Sequence, residues 1–163
     1  MLLVVAGMFG KEVSVLSQET FSSVTSNGSG YRYETYPNGS LKSLGRMAGG
    51  ERNGPEWRWY SNGTLKSIRY YHENKRTGLQ VGWYPQGALK FISPFREGYL
   101  NGIARKWYPD GKIYLENHYE SGREVGQQRA WGPQGKLFAN YVVKDGRRYG
   151  LVGSKPCYTV KEE

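Results

Sequence analysis

Residues 104–119 read Ala104-Arg105-Lys106-Trp107-Tyr108-Pro109-Asp110-Gly111-Lys112-Ile113-Tyr114-Leu115-Glu116-Asn117-His118-Tyr119. The central Pro-Asp-Gly is turn chemistry: proline presets φ, aspartate tolerates the left-handed region, and glycine accepts a positive φ. On both sides aromatic and aliphatic residues alternate with charged ones, the pattern of strands with one wetted side. The stretch reads as a hairpin, and it recurs every 24 residues. Tyr108-Pro109-Asp110-Gly111 is preceded by Tyr84-Pro85-Gln86-Gly87, Tyr60-Ser61-Asn62-Gly63 and Tyr36-Pro37-Asn38-Gly39, and followed by Gly132-Pro133-Gln134-Gly135. Three further ladders keep the same step: Trp59, Trp83, Trp107 and Trp131; Leu41, Leu65, Leu89, Ile113 and Leu137; Gly54, Gly78, Gly102, Gly126 and Gly150. Four ladders in phase exclude coincidence.

Each unit is a strand, a tight turn, a longer strand and a second, looser turn. That second turn region carries glycines four apart, as in Gly98 and Gly102, Gly122 and Gly126, Gly146 and Gly150. Such units can continue only as an antiparallel meander. The predicted fold is therefore all-β, an elongated twisted antiparallel meander of β-hairpins built from about five 24-residue repeats. Its tight turns fall at Gly39, Gly63, Gly87, Gly111 and Gly135. Strand alternation assigns the faces. Ile113, Leu115 and Tyr119 are expected on one side, with Leu89, Phe91 and Phe95 one repeat earlier. Lys42, Lys66 and Lys90 are expected on the other, with Arg58 and Lys106 on the shorter strands.

Composition agrees with this organisation. Hydrophobic residues are 37% of the chain, below the roughly 45–50% of ordinary domains, yet aromatics reach 15% and glycine numbers 23 of 163. Few aliphatics with many aromatics and glycines exclude a helical bundle and favour short strands with tight turns. A charged fraction of 23% and mean hydropathy of −0.71 exclude an apolar span through the interior of the chain. The net charge is +9; residues 1–30 carry −1, which leaves +10 on residues 31–163. That excess attracts nucleic acid, anionic lipid or an acidic protein without choosing among them. The single cysteine, Cys157, excludes an intrachain disulfide framework.

Residues 1–30 and 151–163 stand outside the repeat. Met1 to Phe9 is an apolar run too short to span a bilayer. It matches the apolar part of a secretory signal peptide, lacking the basic stretch before it and a clear Ala-x-Ala site after it. A start codon placed too late explains the missing basic residues, and a buried N-terminal strand is the competing reading. If residues 1–9 are such a truncated signal, the chain is exported or envelope-associated; otherwise it is cytoplasmic. Ser14 to Gly30 reads as a polar arm.

The unit Tyr-Pro-Asn-Gly-x-Leu-Lys, then paired glycines, then Trp-Tyr, as it runs from Tyr36 to Tyr60, resembles the bacterial variant of the MORN repeat, the family that includes YwqK-like antitoxins. The resemblance covers residues 31–150. It implies an elongated sheet of hairpins with a non-enzymatic binding role; the antitoxin label describes some members only. The fifth unit departs from the pattern, with Gly132 for tyrosine and Val143 for an aromatic, and Thr35 stands where the first tryptophan would fall. Both ends therefore read as capping units.

Catalytic constellations do not assemble. The only aspartates, Asp110 and Asp145, each precede a turn glycine. His72 and His118 occupy non-equivalent repeat positions with no Cys or His nearby, so no metal and no cofactor is expected. Glu116 and Glu120 share one side of a strand, which exposed glutamates opposite basic rows do ordinarily. The glycines form no phosphate loop. Asn27, Asn38 and Asn62 fit the glycosylation sequon, but turn chemistry explains them. Cys157 reads as a buried or inert thiol, or as a reactive one if Lys155 supplies a positive setting. What remains is a basic, aromatic-edged strip, Lys42, Lys66, Lys90 and Lys106 interleaved with Tyr60, Tyr84 and Tyr108. The expected function is that of a protein-binding module or scaffold, antitoxin- or immunity-like, with a protein partner. The alternative is electrostatic binding of nucleic acid or an anionic membrane through the lysine rows. A small-molecule ligand is not expected.

Overall fold

The computed structural model describes residues 22–24 and 28–153. The expectations for Met1 to Phe9 and for Cys157 lie outside those residues. Among the described residues there is no helix, and the all-β meander is borne out. The strands are β1 (Ser22–Val24), β2 (Gly30–Thr35), β3 (Leu41–Ala48), β4 (Glu51–Trp59), β5 (Leu65–His72), β6 (Lys75–Trp83), β7 (Leu89–Arg96), β8 (Tyr99–Leu100), β9 (Gly102–Trp107), β10 (Ile113–Glu120), β11 (Arg123–Trp131), β12 (Leu137–Lys144) and β13 (Arg147–Leu151). They form one antiparallel sheet in sequence order, with β8 paired to β7 beside β9.

The tight turns fall at the predicted glycines and are copies of one another. In the first, the Gly39 N–H donates to the Tyr36 carbonyl at 2.9 Å and the Tyr36 N–H to the Ser40 carbonyl at 2.8 Å. The same pair recurs at Tyr60, Tyr84, Tyr108 and Gly132. Gly39 has φ 79°, so the loop is a type I turn closed by a left-handed glycine. The second turn is tighter than expected. Ala48 pairs with Glu51, His72 with Lys75, Arg96 with Tyr99, Glu120 with Arg123 and Lys144 with Arg147, leaving two-residue loops. Both loop residues have positive φ, as in Glu73 (48°) and Asn74 (62°), the type I′ geometry that matches strand twist. Gly54, Gly78 and Gly126 lie within the next strand at a bulge, where three residues oppose one, whereas Gly150 pairs with Tyr141 without a slip.

Bulges also correct the face assignment. Trp107 pairs with Ile113 while Lys106 pairs with Leu115, so two residues of β10 match one of β9 and Tyr114 is the extra residue. Neighbours on β9 point opposite ways, and therefore so do Ile113 and Leu115. The same slip separates Leu89 from Phe91 and Leu65 from Ser67. Lys66, Lys90 and Tyr114 are themselves the bulge residues. Arg58 pairs with Ser43 and Ser67, and Lys106 with Phe91 and Leu115. Arg58 and Lys106 thus share a face with Leu115, contrary to the expectation from plain alternation.

With faces set by register, burial separates them. Met47, Glu56, Ser67, Tyr71, Gln80, Ala104, Asn117, Gln128 and Val143 are all buried and all lie on one face, here the closed face. Gly54, Gly78, Gly102 and Gly126 pair in register with Tyr71, Phe95, Tyr119 and Val143, while a Cβ on them would meet Arg46, Tyr70, Pro94 and His118 of the open face. On the closed face the glycine that packing requires is Gly82. A Cβ added to Gly82 would come within 2.2 Å of the Phe91 ring. Two glutamines close the strand bulges: Gln80 donates to the carbonyls of Tyr70 and Thr77 at 3.3 and 2.8 Å, and Gln128 to those of His118 and Val125 at 2.9 and 2.8 Å. Both sit at one repeat position, which otherwise pattern-free sequence reading passes over.

Candidate functional site

Of the predicted Lys–Tyr strip, the structure brings together Lys66 with Tyr60 and Lys90 with Tyr84 and leaves Lys42 and Lys106 apart from them. The Tyr36, Tyr60, Tyr84 and Tyr108 hydroxyls donate to the carbonyls of Trp59, Trp83, Trp107 and Trp131 at 2.8–2.9 Å. Each tyrosine therefore ties its turn to the next unit. Lys66 and Lys90 fold back over Tyr60 and Tyr84, with Nζ 5.0 and 5.2 Å from the ring centres. Tyr114, at the equivalent position, takes their place against Tyr108 at 4.9 Å. Lys42 pairs with Glu34 at 3.2 Å, and Lys106 is exposed beside Phe91 and Leu115. Burial, with a smaller contribution from neighbouring tyrosines, raises the Tyr60 and Tyr84 hydroxyls above their usual 10.0. These hydroxyls are occupied and the rings are packed, so what the strip offers a ligand is chiefly its ammonium groups.

Each predicted tryptophan of the ladder, Trp59, Trp83, Trp107 and Trp131, is half-buried and stands across its turn from Leu65, Leu89, Ile113 or Leu137. These pairs lie on the opposite, open face. There they join a register row crossing the sheet: Tyr33, Leu44, Trp57, Ile68, Val81, Ile92, Arg105, Glu116, Arg129, Asn140 and Leu151. The row is apolar from β2 to β7 and charged from β9 to β11. In the charged part Glu116 holds Arg105 at 2.7 Å and Arg129 at 3.2 Å, so the glutamate singled out in the sequence is a clamp between guanidinium groups. Glu120 pairs in register with Arg123. His72 lies 3.9 Å from Glu73 at the surface, and His118 stands beside Ile103. Among the described residues no three acidic, His or Cys side chains gather as metal ligands.

Among the described residues, the open face also carries the exposed large apolar strand side chains: Tyr70, Leu79, Tyr99, Ile103, Val142, Tyr149 and Leu151, between 40% and 62% exposed. Four successive hairpins present there a cell of four equivalent positions. The cell is Leu44, Arg46, Pro55 and Trp57 on β3–β4; Ile68, Tyr70, Leu79 and Val81 on β5–β6; Ile92, Pro94, Ile103 and Arg105 on β7–β9; and Glu116, His118, Gln127 and Arg129 on β10–β11. One backbone thus accommodates a fully apolar and a fully polar version. A shallow groove lies in the apolar one, lined by Ile68, Tyr70, Gly78, Leu79 and Val81. Sequence reading missed this cell because it follows positions that recur, and here the information is in positions that do not.

Residues 100–121, which hold the Tyr108 turn and the Trp107–Ile113 pair, match the family model described as MORN repeat variant. No curated protein matches the chain. The match supports the MORN-repeat resemblance at one unit, and the recurrence of the same turn bonds carries that architecture to the others.

Proposed function

We propose that this chain is a non-enzymatic binding module that docks a protein partner on the open face of its sheet. One observation carries the reading. The β10–β11 cell folds with Glu116, His118, Gln127 and Arg129, so folding does not require the apolar Ile68, Tyr70, Leu79 and Val81 at the same places. Exposed apolar patches of this kind mark interaction surfaces, and MORN repeats are binding modules of protein or membrane. In the antitoxin- or immunity-like form of this reading, the partner is a toxin covered by the sheet; in the scaffold form, it is an envelope protein, with Met1 to Phe9 serving export. A photo-crosslinking residue placed at Leu79 in the full-length chain tests the reading in cells. A protein adduct from position 79 and none from position 117 on the closed face is expected; nucleic-acid adducts, or none, contradict it.

A second reading rests on Lys66, Lys90 and Lys106, which form no ion pair among the described residues. If they bind a single-stranded polyanion, the log–log salt slope is about −0.7 per contact, near −2 for three. Changing all three to Gln then abolishes binding and leaves the fold intact.

A further inference from the structure

We infer that the closed face carries a second, independent site: a polar cleft on β2–β4 that binds a small acidic amino acid, a molecule with two carboxylates and an ammonium group. The cleft measures about 480 Å³, and its lining includes Arg32, Ser43, Gly45, Arg52, Glu56 and Asn74. That volume is within the range of small-molecule sites. Here the first hairpin departs from the repeat. The position of Gly45 is taken in later units by Arg69, Ser93, Asn117 and Tyr141, and that of Arg32 by Glu56, Gln80, Ala104 and Gln128. Gly45 lies mid-strand without a positive φ, and a Cβ on it would meet Glu56 at 3.4 Å, an ordinary contact. Neither backbone nor packing therefore requires glycine, and a glycine inside a strand is where a ligand can approach the sheet closely.

The unpaired charges of this region have one sign. Of the charged side chains that register places on the closed face from β2 to β6, Glu34 is held by Lys42 at 3.2 Å and Glu56 by Arg58 at 2.6 Å. Arg32, Arg52, Arg69 and Arg76 have no carboxylate partner among the described residues. Arg52 is instead fixed by the Tyr71 ring, 4.2 Å from its centre, which orients the guanidinium without neutralising it. Register sets the Cα atoms of Arg32 and Arg52 about 10 Å apart across the strands and about 7 Å along them. That spacing suits two carboxylates on one short molecule, each a bidentate partner for a guanidinium, better than a single anion. Glu56 lies over Gly45 and is 8% exposed; Oε1 accepts from Arg58 Nε, and Oε2 accepts no hydrogen bond from the described residues. At the same repeat position Gln80 and Gln128 close their bulges with amide donors, which a carboxylate does not have. A buried carboxylate oxygen without a donor is costly, and an ammonium group is the donor that matches its charge.

Isothermal titration calorimetry of the full chain with L-glutamate, at pH 7 and fixed ionic strength, tests the site. Saturable binding with a dissociation constant below about 1 mM is expected. L-Glutamine, lacking one carboxylate, and glutarate, lacking the ammonium group, should each bind about 10-fold more weakly or worse. Arg32→Gln and Arg52→Gln should each weaken glutamate by about 10-fold, and Glu56→Gln should erase its advantage over glutarate. Gly45→Asn and the milder Gly45→Ser place in the cleft the side chains that positions 117 and 93 already carry. Both should block binding with an unchanged circular dichroism spectrum, whereas Arg123→Gln on the open face leaves it unaltered. No saturable binding of glutamate below about 1 mM overturns the site. Glutarate or inorganic phosphate binding as tightly as glutamate overturns the amino-acid class. An equal loss on Arg123→Gln reveals diffuse attraction to a cationic chain and overturns the cleft. The cleft lies opposite the partner surface, so none of these results bears on the protein-binding reading, which the adduct at position 79 tests separately.

Discussion

The two faces of this sheet are built by the same strands and obey different rules. On the closed face one row of the repeat is kept throughout: the large side chains of Met47, Tyr71, Phe95, Tyr119 and Val143 are each paired in register with a glycine one strand away. On the open face the positions drift from Ile68 and Val81 to Glu116 and Arg129 without changing the register. Recurrence marks what the fold needs; departure from recurrence marks what the fold leaves available for another purpose.

The largest expected contrast comes from substituting one residue on each face. Tyr71 is 4% exposed, and Tyr71→Ala should lower the unfolding free energy by about 3–5 kcal/mol, as other large aromatic truncations do. Leu79 is 53% exposed, and Leu79→Ala should stay within about 0.5 kcal/mol. Similar losses from the two, measured by urea denaturation, would erase the distinction between faces. Trp83→Ala, half-buried beside Leu89, should fall between them. Gln80→Ala comes next. It leaves two carbonyls in the β6 bulge without their amide donor, at about 1–3 kcal/mol, whereas Gln127→Ala on the open face should cost little.

Tyr60→Phe probes the stitching between units and should cost about 0.5–1.5 kcal/mol, because one hydroxyl-to-carbonyl bond is lost. The same bond predicts an alkaline limb. Tyr60 and Tyr84 ionise above 10.0 in the folded chain, mainly because burial disfavours the phenolate. Their contribution is complete below the unfolded value and disappears as pH rises through the raised one. Stability should therefore hold to about pH 10 and decline beyond it, and Tyr60→Phe should reduce the decline. The smallest effect lies at Asp110, whose carboxyl is held below its usual 3.8 by hydrogen bonds from Lys112. Its titration midpoint, read by NMR, should move back toward the usual value in Lys112→Ala.

How much of this was legible in the sequence divides along the same line. Turn positions were legible because turn chemistry is local: Pro, Asn or Asp, and Gly impose their φ values without help from the rest of the chain. The faces were not. A single bulge at Lys66, Lys90 or Tyr114 reverses the alternation for every residue beyond it, and nothing in Leu89-Lys90-Phe91 announces a slip of register. Plain alternation therefore placed Ile113 with Leu115, and Arg58 and Lys106 away from it. The lysines and tyrosines of the predicted strip were visible because they recur, and the structure brings Lys66 to Tyr60 and Lys90 to Tyr84 as repeated packing. The Ile68, Tyr70, Leu79 and Val81 cell was overlooked for the opposite reason, though comparing each unit with the next at those positions would have exposed it.

The most direct test transplants one cell onto another. Replacing Ile68→Glu, Tyr70→His, Leu79→Gln and Val81→Arg together gives the β5–β6 hairpin the open-face chemistry that β10–β11 already carries. If the apolar cell serves a partner and not the fold, this variant should unfold cooperatively in urea with an unchanged m-value and a total loss of no more than about 2 kcal/mol, four times the usual surface effect. Failure to fold, or a loss of about 5 kcal/mol or more, would show that the open face is part of the sheet's own stability and contradict the account.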